Sequence, residues 1–157
     1  MNERSHLDDE KILIQRLRNG NTEALGALYV RYKSALYRFI LRMVNDADSA
    51  NDVVQETFLK VQSASSSLEH PKTFRAWIFR IARNEALGML RRTKKKTIDA
   101  DEVWSDETPH EMLVQEETEE IVRRFLHALK PEYREVLLLR EYEQFSYAEI
   151  ASITGTT

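Results

Sequence analysis

The sequence predicts an all-α protein: an N-terminal helical bundle and a C-terminal partial helix-turn-helix domain, two small helical domains joined by an acidic linker. Three observations predict it. Apolar residues recur at spacings of three and four along most of the 157 residues, the period of a helix with one buried face. No strand pattern and no internal repeat interrupts that period. Residues 98–120 carry ten acidic residues, no basic one and Pro109, a composition that links better than it packs. The divisions fall at 1–97, 98–115 and 116–157.

The elements follow in order. Leu7, Ile12, Leu13, Ile14 and Leu17 make a short amphipathic helix after a cap at Asp8. Asn19-Gly20-Asn21 is a turn, and Asn21 suits the N-cap of the next helix, with Glu23 in its first turn. Leu25, Leu28, Tyr29, Tyr32, Leu36, Phe39, Ile40 and Met43 then form one stripe on a helix of about six turns. Asn45-Asp46 ends it, and Asp46 or Asp48 caps a third helix with Val53, Val54, Thr57, Phe58 and Val61 inward. Its other face shows Asp48, Asp52, Gln55, Glu56 and Lys60. Residues 62–71 read as a serine-rich loop closed by Pro71. A fourth helix runs from about Thr73 to Lys95, with Phe74, Ile78, Ile81, Ala82, Leu87 and Leu90 inward. Four such stripes bury together as a bundle.

Beyond the linker, a helix starts after His110 and continues through Ile121, Val122, Phe125, Leu126 and Leu129. Pro131 suits the first turn of the next helix, which carries Tyr133, Val136, Leu137 and Arg140. Ser146 and Glu149 form a capping-box pair for a last short helix, with Gly155 as its C′ residue. Helix, glycine turn and an expected second helix is helix-turn-helix grammar, here cut off before the second helix.

Composition excludes several classes of function. There is no cysteine, so disulfides, thiolate metal sites and cysteine catalysis are out. The four histidines, His6, His70, His110 and His127, show no metal-ligand spacing, and no phosphate-binding glycine motif occurs. No cofactor is expected. No apolar run approaches the roughly 20 residues that span a bilayer, and the charged N-terminus lacks a signal-peptide core. No base–orienter arrangement for catalysis is legible, so the chain is not expected to be an enzyme.

The net charge of −3 hides a split. Residues 1–97 hold 18 Lys/Arg against 11 Asp/Glu, a net of +7, and residues 98–157 hold 5 against 15, a net of −10. Segment 70–97 is the most basic, with nine basic residues against Glu85 alone, and Phe74, Trp77 and Phe79 interleaved. Cations neutralise phosphates and release counterions, and aromatic faces stack on unpaired bases. Arg80, Arg83, Leu87 and Arg91 follow at helical spacing, roughly opposite the inward stripe. Each feature has a plainer reading: Phe74 or Trp77 as core, the arginines as a solvated face. Their combination favours nucleic-acid binding. On the third helix Asp52, Gln55 and Glu56 cluster at i, i+3 and i+4, either a solvated face or a docking patch for a partner helix.

Three segments in order, DSANDVVQETFLKV from Asp48, FRAWIFRIARNEAL from Phe74, and PEYREVLLLR through FSYAEIA to Ala151, resemble bacterial sigma factors of the extracytoplasmic-function group. The resemblance spans about residues 7–155. It implies a two-domain, all-helical, cytoplasmic initiation subunit of RNA polymerase. It places Asp48, Asp52, Gln55 and Glu56 where the family docks on the clamp helices of the largest subunit of core RNA polymerase. It places Phe74, Trp77, Arg80, Arg83 and Asn84 where the family opens and holds the minus-ten element of promoter DNA. Arg91, Arg92 and the lysines fall near duplex backbone just upstream. Residues 62–72 correspond to the loop that captures a flipped base. Residues 116–155 correspond to the domain that reads the minus-thirty-five element, whose recognition helix this chain lacks. Gly88 stands where many relatives carry aspartate. An anti-sigma factor is a further partner the family implies.

Two rivals follow from the same residues. A truncated relative would bind polymerase or an anti-sigma factor without initiating transcription. A generic nucleic-acid-binding regulator would never touch polymerase.

Overall fold

A computed structural model describes residues 3–68, 74–96 and 118–155, with side chains from residue 9 onward and through residue 93 of the middle segment. Seven α-helices occur among them: α1 (Glu3–Arg18), α2 (Thr22–Val44), α3 (Ala47–Ala64), α4 (Phe74–Lys96), α5 (Thr118–Ala128), α6 (Pro131–Leu137) and α7 (Tyr147–Thr154). The all-α expectation holds, and the described residues contain no strand. The linker 98–115 and the end of the serine loop, 69–72, lie outside the described residues.

Local chemistry sets the helix ends. Asn21 accepts from the Glu23 backbone N–H at 2.9 Å and starts α2. Asn45 ends it with φ 56°, the left-handed conformation that asparagine tolerates. Asp46, rather than Asp48, caps α3: its carboxylate accepts from the Ser49 N–H at 3.0 Å and the Ser49 hydroxyl at 2.6 Å. Those two donors hold the Asp46 carboxyl below its ordinary pKa. Ser146 and Glu149 close the capping box of α7, and Gly155 at φ 72° is its C-cap.

Two expectations are corrected. Asp8 lies inside α1, which begins five residues earlier, so it is not the cap. The serine-rich stretch is not loop from its start, because α3 continues to Ala64 and a 3₁₀ turn spans Ser65–Ser67. The Ser65 and Ser67 hydroxyls each donate to a carbonyl three residues back, Gln62 at 3.0 Å and Ala64 at 2.6 Å, which extends the helix end in tightened form.

The bundle core forms where the stripes meet. Leu28, Leu36, Phe39, Ile40 and Met43 of α2 are 0–1% exposed, as are Ile14 of α1, Val61 of α3, and Phe74, Ile78 and Phe79 of α4. This core does not stop at α4. Leu126, Leu138, Leu139, Phe145, Ile150 and Ile153 join the same buried cluster. The link is aromatic: Phe79 meets Phe39 at 5.5 Å and Phe145 at 5.2 Å, both edge-on. The acidic stretch thus separates two groups of helices in sequence that lie in contact in space.

A change of helix type aims Phe145. After α6 the chain widens into a π-helical turn, Leu138–Tyr142, and Gln144 adopts φ 57°. Phe145 then turns inward, its carbonyl held by the Arg140 guanidinium at 2.9 Å.

Candidate nucleic-acid and polymerase interface

Helix α4 carries three rows of side chains. Phe74, Ile78 and Ala82 are buried against the bundle. Phe74 is 0% exposed and meets Tyr32 at 5.5 Å and Trp77 at 5.8 Å. The expectation that its ring touches DNA is therefore corrected: the ring fills the core and supports Trp77 from behind. Leu87 is buried, as its place among the inward residues indicates, and so stands apart from the arginines with which its spacing also groups it.

A second row is exposed. Trp77 is partly buried, and Arg80, Asn84, Arg91 and Arg92 lie at the surface. Trp77, Arg80, Asn84, Gly88 and Arg91 follow at spacings of three or four, which puts them on one stripe. A polar row headed by an aromatic ring has the parts for unpaired bases and their phosphates.

The third row is occupied. Arg83 holds Glu135 of α6 in a two-pronged pair, Nε to one carboxylate oxygen at 2.6 Å and a terminal nitrogen to the other at 3.0 Å. The side chains are 19% and 3% exposed. The remaining nitrogen of Arg83 donates to Asn84 Oδ1 at 3.0 Å. Arg75 donates to the Glu143 carbonyl at 2.8 Å and reaches its carboxylate at 3.3 Å, with its guanidinium 3.9 Å from the Phe145 ring centroid. Arg83 is therefore set apart from the open stripe on which sequence spacing had placed it.

On α3, Asp48, Asp52, Gln55 and Glu56 are all exposed, opposite buried Val53, Val54, Thr57 and Phe58. Leu59 stands 58% exposed one turn beyond Gln55 and Glu56. It lies at i+7 from Asp52, on the same side of α3 as the polar cluster. An adjoining groove between α2 and α3 is lined by Tyr29, Lys33, Tyr37, Asn51 and Val54. The flank of α3 toward α4 is tied by a Lys60–Glu85 ion pair.

Two buried charges escaped the sequence: Arg134 and Glu135 are 5% and 3% exposed. Tyr133, Val136 and Leu137 of the same helix are exposed. Arg134 donates to the carbonyls of Leu126 at 2.7 Å and Leu129 at 3.0 Å, at the end of α5, and to that of Met43, at the end of α2. Burial lowers its pKa from the ordinary arginine value. One cation thus satisfies the C-termini of two helices, where the helix dipole favours positive charge. Nearby His127 is pushed down to about 4, by burial first and then by Arg134 and Arg123. Among the described residues no three His, Asp or Glu side chains gather to hold a metal, and no helix is long and apolar enough to cross a membrane.

Comparison with known proteins bears on this arrangement. The family model for sigma-70 region 2 matches residues 28–96, and that for sigma-70 region 4 matches residues 119–157. The chain is 32% identical over 157 residues to the ECF RNA polymerase sigma-E factor of Escherichia coli K12, covering 92% of this chain and 82% of that protein. It is 29% identical over 159 residues to the RNA polymerase sigma-H factor of Pseudomonas aeruginosa, covering 93% and 82%. Among solved structures, CnrH in complex with the cytosolic domain of CnrY aligns with a TM-score of 0.69 at 26% identity, over 94% of this chain and 84% of that one. The sigma factor RpoE of Bartonella quintana, in complex with the anti-sigma factor NepR, aligns with a TM-score of 0.66 at 26% identity, over 84% and 83%. With both sigma regions matched in order and this identity along nearly its whole length, the chain belongs to the extracytoplasmic-function sigma factors, the initiation subunits that bring RNA polymerase to promoters.

Proposed function

We propose that this sigma factor docks on core polymerase through the exposed face of α3 and engages the opened minus-ten element with the outer stripe of α4. On this reading residues 1–97 are the docking and melting domain, 98–115 the linker and 116–157 the region 4-like domain. Asp48, Asp52, Gln55 and Glu56, with Leu59 beside them, face the clamp helices. Trp77 stacks on an unpaired base, Arg80 and Asn84 hold the strand, and Arg91 and Arg92 track the duplex backbone. Arg83 joins them once it is released from Glu135. The protein works in the cytoplasm, as a binding subunit without catalysis of its own. The observation that carries the reading is the row of exposed Arg80, Asn84 and Arg91 with half-buried Trp77 at its head.

Both solved relatives are complexes, one of them with an anti-sigma factor. Their likeness over most of the chain supports an anti-sigma factor as a third partner of this protein.

The test uses purified chain, core polymerase and a promoter fork carrying an unpaired minus-ten strand. Trp77→Ala and Arg80→Ala are expected to impair fork binding and opening while core affinity stays within about twofold. Asp52→Arg with Glu56→Arg is expected to weaken core affinity at least about tenfold, since like-charge contacts at an interface cost several kcal/mol. Loss of core binding in the α4 variants would make those residues structural. Failure of the unaltered chain to bind core would end the reading.

A further inference from the structure

We propose that Glu10 and Tyr32 are positioning residues for promoter opening: the Glu10 carboxylate pins the Tyr32 hydroxyl, the Tyr32 ring backs Phe74, and Phe74 backs Trp77. The proposal rests on reading Trp77 as the stacking ring of α4. It brings α1, which that reading does not use, into the same site.

The contacts run in one line from α1 to the surface. Glu10 lies on α1, Tyr32 on α2, and Phe74 and Trp77 in the first turn of α4. The Tyr32 hydroxyl donates to one Glu10 oxygen at 2.6 Å, and Arg31 donates to the other at 3.0 Å. An O–H bond of that length to a carboxylate is charge-assisted and holds both partners firmly. The buried Tyr32 ring meets Phe74 edge-on, with centroids 5.5 Å apart and planes at 63°. Phe74, fully buried, meets Trp77 at 5.8 Å and 44°. Trp77 ends the line and is only half-buried.

Packing alone does not call for the hydroxyl. A phenylalanine ring would meet Phe74 as well, and taking a phenol oxygen and a carboxylate out of water has a cost that only their bond offsets. What the pair adds is orientation, because a ring bonded at its tip leans less. Burial first, then the hydrogen bond to Glu10 and its charge, raise the Tyr32 pKa above the ordinary phenol value, so the donor proton stays in place. Phe74 is the first residue of α4 and has no earlier turn of its own helix to brace it, so α2 supplies the brace. A platform already held in its bound orientation loses less freedom when a base stacks on it.

The experiment uses the full chain with Trp104→Phe, which leaves Trp77 as its single tryptophan. Time-resolved anisotropy of the free chain reads how far the indole moves. A dye-labelled fork with an unpaired minus-ten strand reads DNA binding by the same chain on core polymerase. Tyr32→Phe is expected to widen the motion of the indole and to weaken fork binding about two- to tenfold, the factor that immobilising one side chain contributes. Core affinity and helical circular dichroism should stay as in the unaltered chain. Glu10→Ala should act like Tyr32→Phe, and Glu10→Gln, whose amide oxygen still accepts from the phenol, should restore both readouts. Because Tyr32 acts through Trp77, adding Tyr32→Phe to Trp77→Ala should weaken fork binding no further than Trp77→Ala alone. Unmoved indole anisotropy in folded Tyr32→Phe, or losses that add to those of Trp77→Ala, overturns the proposal, the bond then being a plain fastening of α1 to α2. Should Tyr32→Phe lose its helical signal, the Glu10 variants decide: equal indole motion and equal fork affinity in Glu10→Ala and Glu10→Gln overturns the proposal. If Trp77→Ala itself binds the fork as well as the unaltered chain does, the stacking reading fails and takes the proposal with it. That single variant tells the two failures apart.

Discussion

Arg134→Met tests whether one buried cation holds the two groups of helices together. The side chain is 5% exposed and bonds the carbonyls of Leu126 at 2.7 Å and Leu129 at 3.0 Å, that of Met43, and more loosely that of His127 at 3.5 Å. Methionine fills similar space but donates nothing. Hydrogen bonds to a charged group contribute about 1.5–3 kcal/mol each. Three good ones would exceed the net effect, because the carbonyls partly rehydrate and the desolvation of the guanidinium is recovered. The expected loss is about 3–5 kcal/mol, a large share of the roughly 5–15 kcal/mol that holds a typical domain together. Urea unfolding followed by circular dichroism measures it, with Tyr133→Ala as control, since that neighbouring ring is 62% exposed. The control is expected to stay within about 0.5 kcal/mol. Arg134→Lys should recover only part, because an ammonium lacks the fork that spans several carbonyls. A loss below about 1 kcal/mol for Arg134→Met, little more than a surface change costs, would refute the double-cap reasoning.

Two further outcomes are expected. Gly88→Ala should raise stability by about 0.8–1 kcal/mol and Tm by a few degrees in a thermal melt, since Gly88 lies inside α4 and an added Cβ would meet only the Arg92 guanidinium at 3.7 Å. His127 should make the chain acid-sensitive: its pKa falls from 6.5 to about 4 on folding, so the unfolded state binds the proton first. Stability is then full above pH 6.5 and is lost as pH falls toward 4. His127→Gln should flatten that part of the pH profile, and equal Tm loss from pH 7 to pH 5 in both proteins would count against it.

Much of this architecture is written in local signals. The α2 stripe, the Asn21 cap and the Ser146–Glu149 box depend on near neighbours in sequence, and all three form, except that Tyr29 of the stripe is exposed and Leu25 only half-buried. The errors have a common cause in tertiary packing. Arg134 and Glu135 read as surface charges because burial of a charge needs partners, and their partners are 5 to 91 residues away, at the ends of α5 and α2 and in α4. Phe74 read both as an inward residue and, from its basic neighbours, as a DNA contact; Tyr32 and Trp77 enclose it, in favour of the first. Leu59 was passed over because the stripe of α3 accounts for its inner residues without it. The opposite net charges of the two halves favour contact between them but do not single out the Arg83–Glu135 pair.

That charge pattern also bears on how two affinities are balanced in one chain. A helix able to grip phosphates through Arg75, Arg80, Arg83 and Arg91 at once would bind any nucleic acid, because phosphate contacts carry no sequence information. Pairing Arg75 and Arg83 with glutamates removes two of those contacts from the free protein and leaves the aromatic and the outer arginines in place. Each withheld phosphate contact lowers the salt slope of non-specific binding by about 0.7 on single strands. Neutralising both glutamates frees the two guanidiniums, so the slope of log affinity against log salt should steepen by about 1.4 in the Glu135→Gln, Glu143→Gln variant. A slope equal to that of the wild type would mean that both arginines already reach DNA, or that neither ever does.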